Sequence, residues 1–335
     1  MIRAGIVGLG WWGKTLVDSV HGKSSDIQFV AAQTRSPAKA AEFCRSRGIA
    51  LHQDVAALLS DPGIDAIVST TPHSEHEDQV LRAAAAGKNI YIEKPFTLTR
   101  RSADRAIDAA RKSGIVLAVG FQRRFNLSHR DLKARLRNNS LGTIVHCAAE
   151  ATASGSLFIA ADTWRTDPAE MLAGAMTPLG IHALDGMIDL LGEIDTVYCL
   201  NLKRAGGRVE DTTSVLFQFC NGASASLVSS MATARNYRMT VYGTQGSAEA
   251  SKTTKETLKF VPVVNPATAA KPLPQPEFIE FPASDVERAS LEAFAAAIGS
   301  GTTFPVPAAE LLHVVGSFEA IVRSAATRKP VTVDR

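Results

Sequence analysis

The chain has 335 residues, of which 45% are hydrophobic and 21% charged, and its formal net charge is +3. That balance excludes a disordered chain, and so small a charge gives no electrostatic case for nucleic acid or an anionic membrane as the main partner. The length favours two domains over one core.

The first 120 residues alternate short apolar runs with helical patterns. Strands are predicted over 2–7, 28–32, 66–69, 89–92 and 116–120, and helices over 12–21, 37–47, 55–60, 76–86 and 99–113. Strands alternating with helices predict a parallel, doubly wound sheet, hence an α/β first domain over residues 1–121. From residue 122 to 335 the pattern changes. A helix near 128–138 leads into a strand at 144–152, and a central helix is expected over 177–191. Strand runs follow at 195–203, 212–219, 223–231 and 237–243, punctuated by Asn221-Gly222 and Gln245-Gly246. This reads as an α+β domain with a large, mostly antiparallel sheet. Residues 252–282 read as extended segments and loops. Helices near 285–300 and 308–327 and a strand at 331–333 close the chain, and a C-terminal helix packing back on the first domain is compatible with this order.

Cys44, Cys147, Cys199 and Cys220 are far apart, form no C-x-x-C and lie in apolar sequence. They are expected to be reduced core thiols. Neither a signal-peptide pattern nor a membrane-length apolar run is visible, so a cytoplasmic protein with no membrane partner is expected.

Gly8-Leu9-Gly10-Trp11-Trp12-Gly13 follows the first strand and opens the first helix. In that context Gly8 permits a tight turn, Gly10 lets backbone approach a pyrophosphate, and Gly13 permits close helix packing. The helix N-terminus then offers unpaired N–H groups to the phosphates. The loop, including Trp11 and Trp12, is therefore assigned to a dinucleotide. An NAD-specific site places an acid at the end of the second strand; here Thr34, Arg35 and Ser36 follow it. Two hydroxyls and a guanidinium suit a 2′-phosphate, so NADP is expected rather than NAD. Thr71, Pro72 and His76 lie in a loop at the carboxyl edge of the sheet, where ligands bind. His73 and His76 have no third partner at a convincing spacing, so no metal is expected. Glu93-Lys94-Pro95 ends the strand at 89–92. The proline biases Lys94 toward extended geometry, which aims an amine able to polarise a hydroxyl or carbonyl oxygen.

The chain resembles the Gfo/Idh/MocA oxidoreductases (glucose–fructose oxidoreductase, inositol dehydrogenase and their relatives) along nearly its whole length. The resemblance rests on GLGWWG at 8–13, TTPHSEH at 70–76, AAAAGKNIYIEKP at 83–95, GFQRRF at 120–125, MTPLGIHALD at 176–185 and VYGTQGSAEA at 241–250. It implies a nicotinamide-dependent oxidoreductase of a polyol, sugar or related carbohydrate-like carbonyl compound, forming a homodimer or homotetramer through the C-terminal sheet. It makes Lys94 the catalytic lysine and His182 a proton-transfer or substrate-orienting group. Glu93, Gln122 and Trp164 fall near the cofactor, and Arg124 near the substrate. Asp185, three residues beyond His182, is expected to share its helix face and orient the imidazole, with a cap or solvated role as the alternative. One departure stands out: Pro178 occupies a position where sugar dehydrogenases of the family usually carry an aspartate. That keeps two rival readings open, a non-catalytic NADP sensor and a lyase or epimerase that oxidises its substrate transiently.

Overall fold

A computed structural model describes residues 1–159, 163–265, 267 and 273–334. The chain divides into two compact units, Met1–Gln122 with Asp285–Val315, and Arg123–Ser284 with Gly316–Arg335. The second segment of the first unit begins at the Asp285 cap of a helix, well beyond the boundary drawn at residue 121 from the sequence.

The first unit holds six parallel strands: β1 (Ile2–Val7), β2 (Ile27–Gln33), β3 (Ala50–Leu51), β4 (Ala66–Ser69), β5 (Asn89–Ile92) and β6 (Leu117–Val119). Their order is β3-β2-β1-β4-β5-β6. It reverses direction between β1 and β4, and a ligand crevice opens at the carboxyl ends of such a pair. Helices α1 (Trp11–Val20), α2 (Pro37–Ser46), α3 (Val55–Ser60), α4 (His76–Ala85) and α5 (Arg100–Ser113) connect the strands. Every residue of β4 is buried, as in a sheet covered on both faces. The Thr99 side chain caps α5 and Gly114, at φ 67°, ends it.

Among its described residues, the second unit contains α6 (Leu127–Arg137), α7 (Gly180–Leu191) and nine strands: β7 (Ile144–Thr152), β8 (Ile194–Leu202), β9 (Thr212–Phe219), β10 (Ser224–Ser230), β11 (Asn236–Gly243), β12 (Gly246–Lys252), β13 (Glu256–Pro262), β14 (Glu277–Glu280) and β15 (Val331–Thr332). The order is β14-β13-β12-β11-β7-β10-β9-β8-β15, antiparallel throughout except for the β7–β10 pair. Alternate residues point to opposite faces. Cys147, Ala149 and Ala151 of β7 and Ala225 and Leu227 of β10 are buried, and α7 packs on these two strands. Leu200, Leu202, Leu216, Val228 and Tyr242 remain exposed. Two more helices complete the chain. α8 (Val286–Ser300) rejoins the first unit, packing on α1, β1 and β2 after its Asp285 cap. α9 (Ala308–Thr327) crosses the division at residue 315.

The fold is thus a parallel Rossmann-type sheet plus a large, mostly antiparallel sheet. Details differ from the sequence expectations. The central helix starts at Gly180 instead of residue 177, because residues 174–176 take a 3₁₀ turn and Pro178 has no N–H to contribute. A strand at 246–252 follows the Gln245-Gly246 turn, and within residues 252–282, read as extended segments and loops, 256–262 and 277–280 are paired strands; residues 266 and 268–272 lie outside the described residues. Cys44, Cys147 and Cys199 are buried free thiols, but Cys220 is exposed, since it stands in the β9–β10 turn beside Gly222. No described helix is long and apolar enough to cross a membrane.

Candidate active site

The glycine loop is stitched to its neighbours on both sides. Gly8 N–H donates to Gln33 O at 2.8 Å, and the Thr70 hydroxyl donates to Gly8 O at 2.6 Å. Gly8 has φ 92°, a backbone region that favours glycine. A Cβ on Gly13 would stand 2.1 Å from Gly8 O, so only glycine lets α1 start this close to the loop. Gly10 differs: a Cβ there would meet nothing within 4 Å. Gly10 is also the N-cap of α1; no side chain caps that helix, and its first turn has no acid. An open space in front of uncapped N–H groups suits an anion, and the residues present fit a dinucleotide pyrophosphate. Trp11, 75% exposed at the first helical position, stands at this opening, with its ring centroid 5.4 Å from that of Trp12.

At the end of β2, Thr34 is half-buried and Arg35 and Ser36 are exposed. Ser36 heads α2, yet its side chain does not cap it, and no carboxylate appears before Glu42. At the far end of α2 the Arg47 guanidinium lies 3.8 Å and the Lys14 ammonium 5.1 Å from the centre of the Phe43 ring, and Arg47 pairs with Asp18 at 2.6 Å.

Thr71 and Pro72 follow β4. His76 is fully buried, with Nδ1 2.8 Å from Pro95 O and Nε2 3.3 Å from Thr71 O. Its ring therefore braces the loop after β4 against the loop after β5.

Lys94 is half-buried at the mouth of β5, and the Lys94–Pro95 bond is cis. Glu93 before it is buried. One Glu93 oxygen accepts the Gln122 amide at 2.6 Å; the other accepts the Lys94 backbone N–H at 3.3 Å. Burial pushes the Glu93 carboxyl up, while the Lys94 charge, the nearby Trp12 indole and Gln122 pull it back. Gln122 also donates to the Tyr91 hydroxyl at 3.2 Å, and that hydroxyl lies 3.0 Å from Ser290 Oγ on α8. Gln122 thus stands behind Glu93, a position that its place after the last Rossmann strand did not reveal. Tyr91 and Ser290 went unrecognised. A hydroxyl inside the otherwise apolar strand 89–92 was the available signal for Tyr91; Ser290, 199 residues away, gave none.

In the second unit, His182 is half-buried in the first turn of α7. Gly180 permits a close approach, but to Met176 and Ser229: a Cβ there would come within 2.4 Å of Met176 Sδ and 3.1 Å of Ser229 Cβ. Arg124 and Asp185 bind each other. The guanidinium Nε and Nη2 donate to the Asp185 carboxylate at 3.0 and 2.6 Å, and Nη1 donates to Asp189 at 2.9 Å. Asp189 further pairs with His129 Nε2 at 2.8 Å and with Lys133. Both ends of the Arg124–Asp185 pair are almost fully buried, at 3% and 0% side-chain exposure. The structure thus pairs Arg124 with Asp185 in a buried bidentate contact, a pairing that the shared helix face of His182 and Asp185 did not reveal. Burial pushes the Asp185 carboxyl up against the pull of Arg124. Burial also opposes the Asp189 charge, but His129, Arg124 and Lys133 outweigh it and hold that carboxyl well below the usual range. Trp164 sits in a short 3₁₀ turn with the Arg165 guanidinium 4.3 Å from its ring centre.

Two family models match. One, described as an oxidoreductase family with an NAD-binding Rossmann fold, covers residues 2–121; the other, the GFO/IDH/MocA C-terminal domain, covers residues 129–249. The chain is 30% identical over 263 residues to scyllo-inositol 2-dehydrogenase (NAD(+)) of Bacillus subtilis, covering 73% of this chain and 72% of the relative. It is 28% identical over 333 residues to D-xylose 1-dehydrogenase (NADP(+)) 2 of Haloferax volcanii, covering 98% and 99%. Its fold matches the crystal structure of aldose-aldose oxidoreductase from Caulobacter crescentus with a TM-score of 0.86 at 22% identity, over 99% of both chains.

Proposed function

This chain belongs to the Gfo/Idh/MocA oxidoreductase family, and from that premise we propose that it is an NADP-dependent enzyme moving hydride between the nicotinamide and a polyol, sugar or related small carbonyl compound. The observation that carries the reading is Lys94 at the mouth of β5, in the same unit as the glycine cradle and buttressed by a buried carboxylate. Relatives named for inositol and xylose oxidation support the substrate class. They include both NAD and NADP enzymes, so the cofactor choice rests on this chain's own residues.

The bound dinucleotide supplies the hydride acceptor or donor. Gly8, Gly10 and the start of α1 would hold its pyrophosphate, with Trp11 and Trp12 alongside. Thr34, Arg35 and Ser36 would take a 2′-phosphate, which a carboxylate at this place would repel. Lys94 holds the substrate oxygen: as an ammonium it donates a proton to a carbonyl oxygen or stabilises an alkoxide, and as an amine it accepts the hydroxyl proton. His182 assists in proton transfer. The exposed apolar residues Leu200, Leu202, Leu216 and Val228 support self-association through the large sheet, as a dimer or tetramer.

Pro178 favours a second reading. It stands in the turn before α7, and the first turn of α7 has no acid, so the place where an aspartate was expected offers no carboxylate for a relay with His182. An NADP sensor without turnover, or an eliminating or epimerising enzyme that re-reduces its own cofactor, would tolerate that loss.

Thermal unfolding in the presence of NAD, NADP and their reduced forms tests the cofactor assignment. A ligand at a hundredfold excess over its dissociation constant stabilises the native state by about 2.7 kcal/mol. NADP and NADPH are expected to raise the melting temperature more than NAD and NADH at equal concentration; the reverse order would overturn the assignment.

A further inference from the structure

The Glu93–Gln122 contact is built with more care than a cofactor contact requires. Three separate features converge on it. A Cβ on Gly120 would stand 2.6 Å from the Glu93 carboxylate and 2.9 Å from the Gln122 amide nitrogen, so only glycine at that place admits the bond. Gln122 is 3% exposed, and its amide nitrogen divides its two protons between Glu93 and Tyr91. The Tyr91 hydroxyl accepts one of them and shares a further hydrogen bond with the Ser290 hydroxyl on α8. A row of buried groups thus runs from α8 through β5 and the end of β6 to the carboxylate beside Lys94, all within one unit.

The chemistry of the row is directional. An ionised carboxylate only accepts hydrogen bonds, so it fixes the amide with nitrogen toward Glu93. In return the amide stabilises the ionised form over the neutral one, in a place where burial pushes the other way. The charged groups bearing on this row are Lys94 beside Glu93 and, at the far end, Glu287 on α8, which acts on Tyr91 together with Glu93.

We propose that Gln122, propped by Tyr91 and Ser290, is a positioning residue that keeps Glu93 ionised, and that the Glu93 carboxylate in turn keeps Lys94 an ammonium ion. Lys94 is thereby set as an acid, the form suited to donating to a carbonyl oxygen and to stabilising an alkoxide. Without Gln122 the neutral form of buried Glu93 gains against the remaining pull of Lys94 and the Trp12 indole, the negative charge beside Lys94 weakens, and the amine form gains. The inference rests on Lys94 as the reacting amine, but its test reads the amine directly and needs neither substrate nor cofactor.

The experiment is pH-dependent acetylation of Lys94 in the full chain, followed by mass spectrometry. Glu93→Gln and Gln122→Met are both expected to move the midpoint of the labelling profile to lower pH. For Glu93→Gln at pH 8 that makes Lys94 label roughly tenfold faster, the effect of removing one opposite charge at close range, and for Gln122→Met the gain is smaller. Tyr91→Phe, which removes one of the two Gln122 contacts without touching Glu93, is expected to move it the same way by less, and serves if Gln122→Met fails to fold. Adding Gln122→Met to Glu93→Gln is expected to change nothing further. A rate change that is equal at every pH reflects access and overturns the proposal. So does an unmoved midpoint in folded Gln122→Met or, failing that, in Tyr91→Phe. Loss of Lys94 as the catalytic amine would show instead as full turnover in Lys94→Ala, with the labelling result intact.

Discussion

In the proposed NADP site, Arg35 is the cationic side chain of the Thr34-Arg35-Ser36 run. It is exposed at the end of β2, between two hydroxyl residues, with no acid nearer along the chain than Glu42. A hydrogen bond to a charged group is worth about 1.5–3 kcal/mol, roughly ten- to a hundredfold in affinity. Arg35→Asp is therefore expected to weaken NADPH binding by that factor and to leave or improve NADH binding, as read by fluorescence titration; unchanged NADPH affinity would remove Arg35 from the 2′-phosphate site. At this scale the sequence was readable where a residue's task is local. Gly8, Gly10 and Gly13 announce themselves because a turn, an open space and a crowded helix start each constrain one position. Lys94 announces itself through its proline. Asp185 did not, because spacing on a helix says which residues share a face and not which partner arrives from another element. Its carboxylate meets Arg124, 61 residues away in sequence.

The same lesson extends to whole elements. α6 has no side-chain cap of its own; Glu256 on β13 accepts the Ser128 N–H and hydroxyl at 2.6 and 2.9 Å and takes over that task. α7 is tied to α6 and to the segment before it through Asp185, Asp189, Arg124, His129 and Lys133. Removing one partner of a buried charge cluster costs about 3–5 kcal/mol, so Asp189→Asn is expected to destabilise the second unit by that amount at pH 7 in urea denaturation. The pH dependence follows from the direction of the shift. Asp189 is held below its unfolded value, so its contribution is full above pH ~4 and is lost as the pH falls toward its folded value. The gap between wild type and Asp189→Asn should narrow below pH 4; a gap independent of pH would show that the charge is not what holds α7. Strands and helices with strong periodicity were legible, and β1, β4, β5 and β7 lie where the apolar runs put them. β3 was missed because two residues make no pattern. β12, β13 and β14 were blurred because polar residues alternate along them and only the pairing with neighbours makes them strands.

For the whole molecule, the element order β-α-β followed by a run of strands is enough to require two sheets of different kinds, and two are found. That order is compatible with a C-terminal helix returning to the first unit but does not say which; residues 285–315 do so, and α8 packs beside α1 and brings Ser290 to the Tyr91 hydroxyl. The unit carrying the glycine cradle is thus assembled from both ends of the chain. Nicotinamide-linked hydride transfer dependent on Lys94, as proposed, is tested by absorbance at 340 nm with a panel of polyols and sugars, using NADP and NAD, for the wild type and Lys94→Ala. The expected result is cofactor reduction by the wild type with at least one compound, faster with NADP than with NAD, and none by Lys94→Ala, even though NADP still raises the melting temperature of that variant. Wild-type turnover in Lys94→Ala, or tight NADP binding by the wild type with no turnover on any compound, would contradict it.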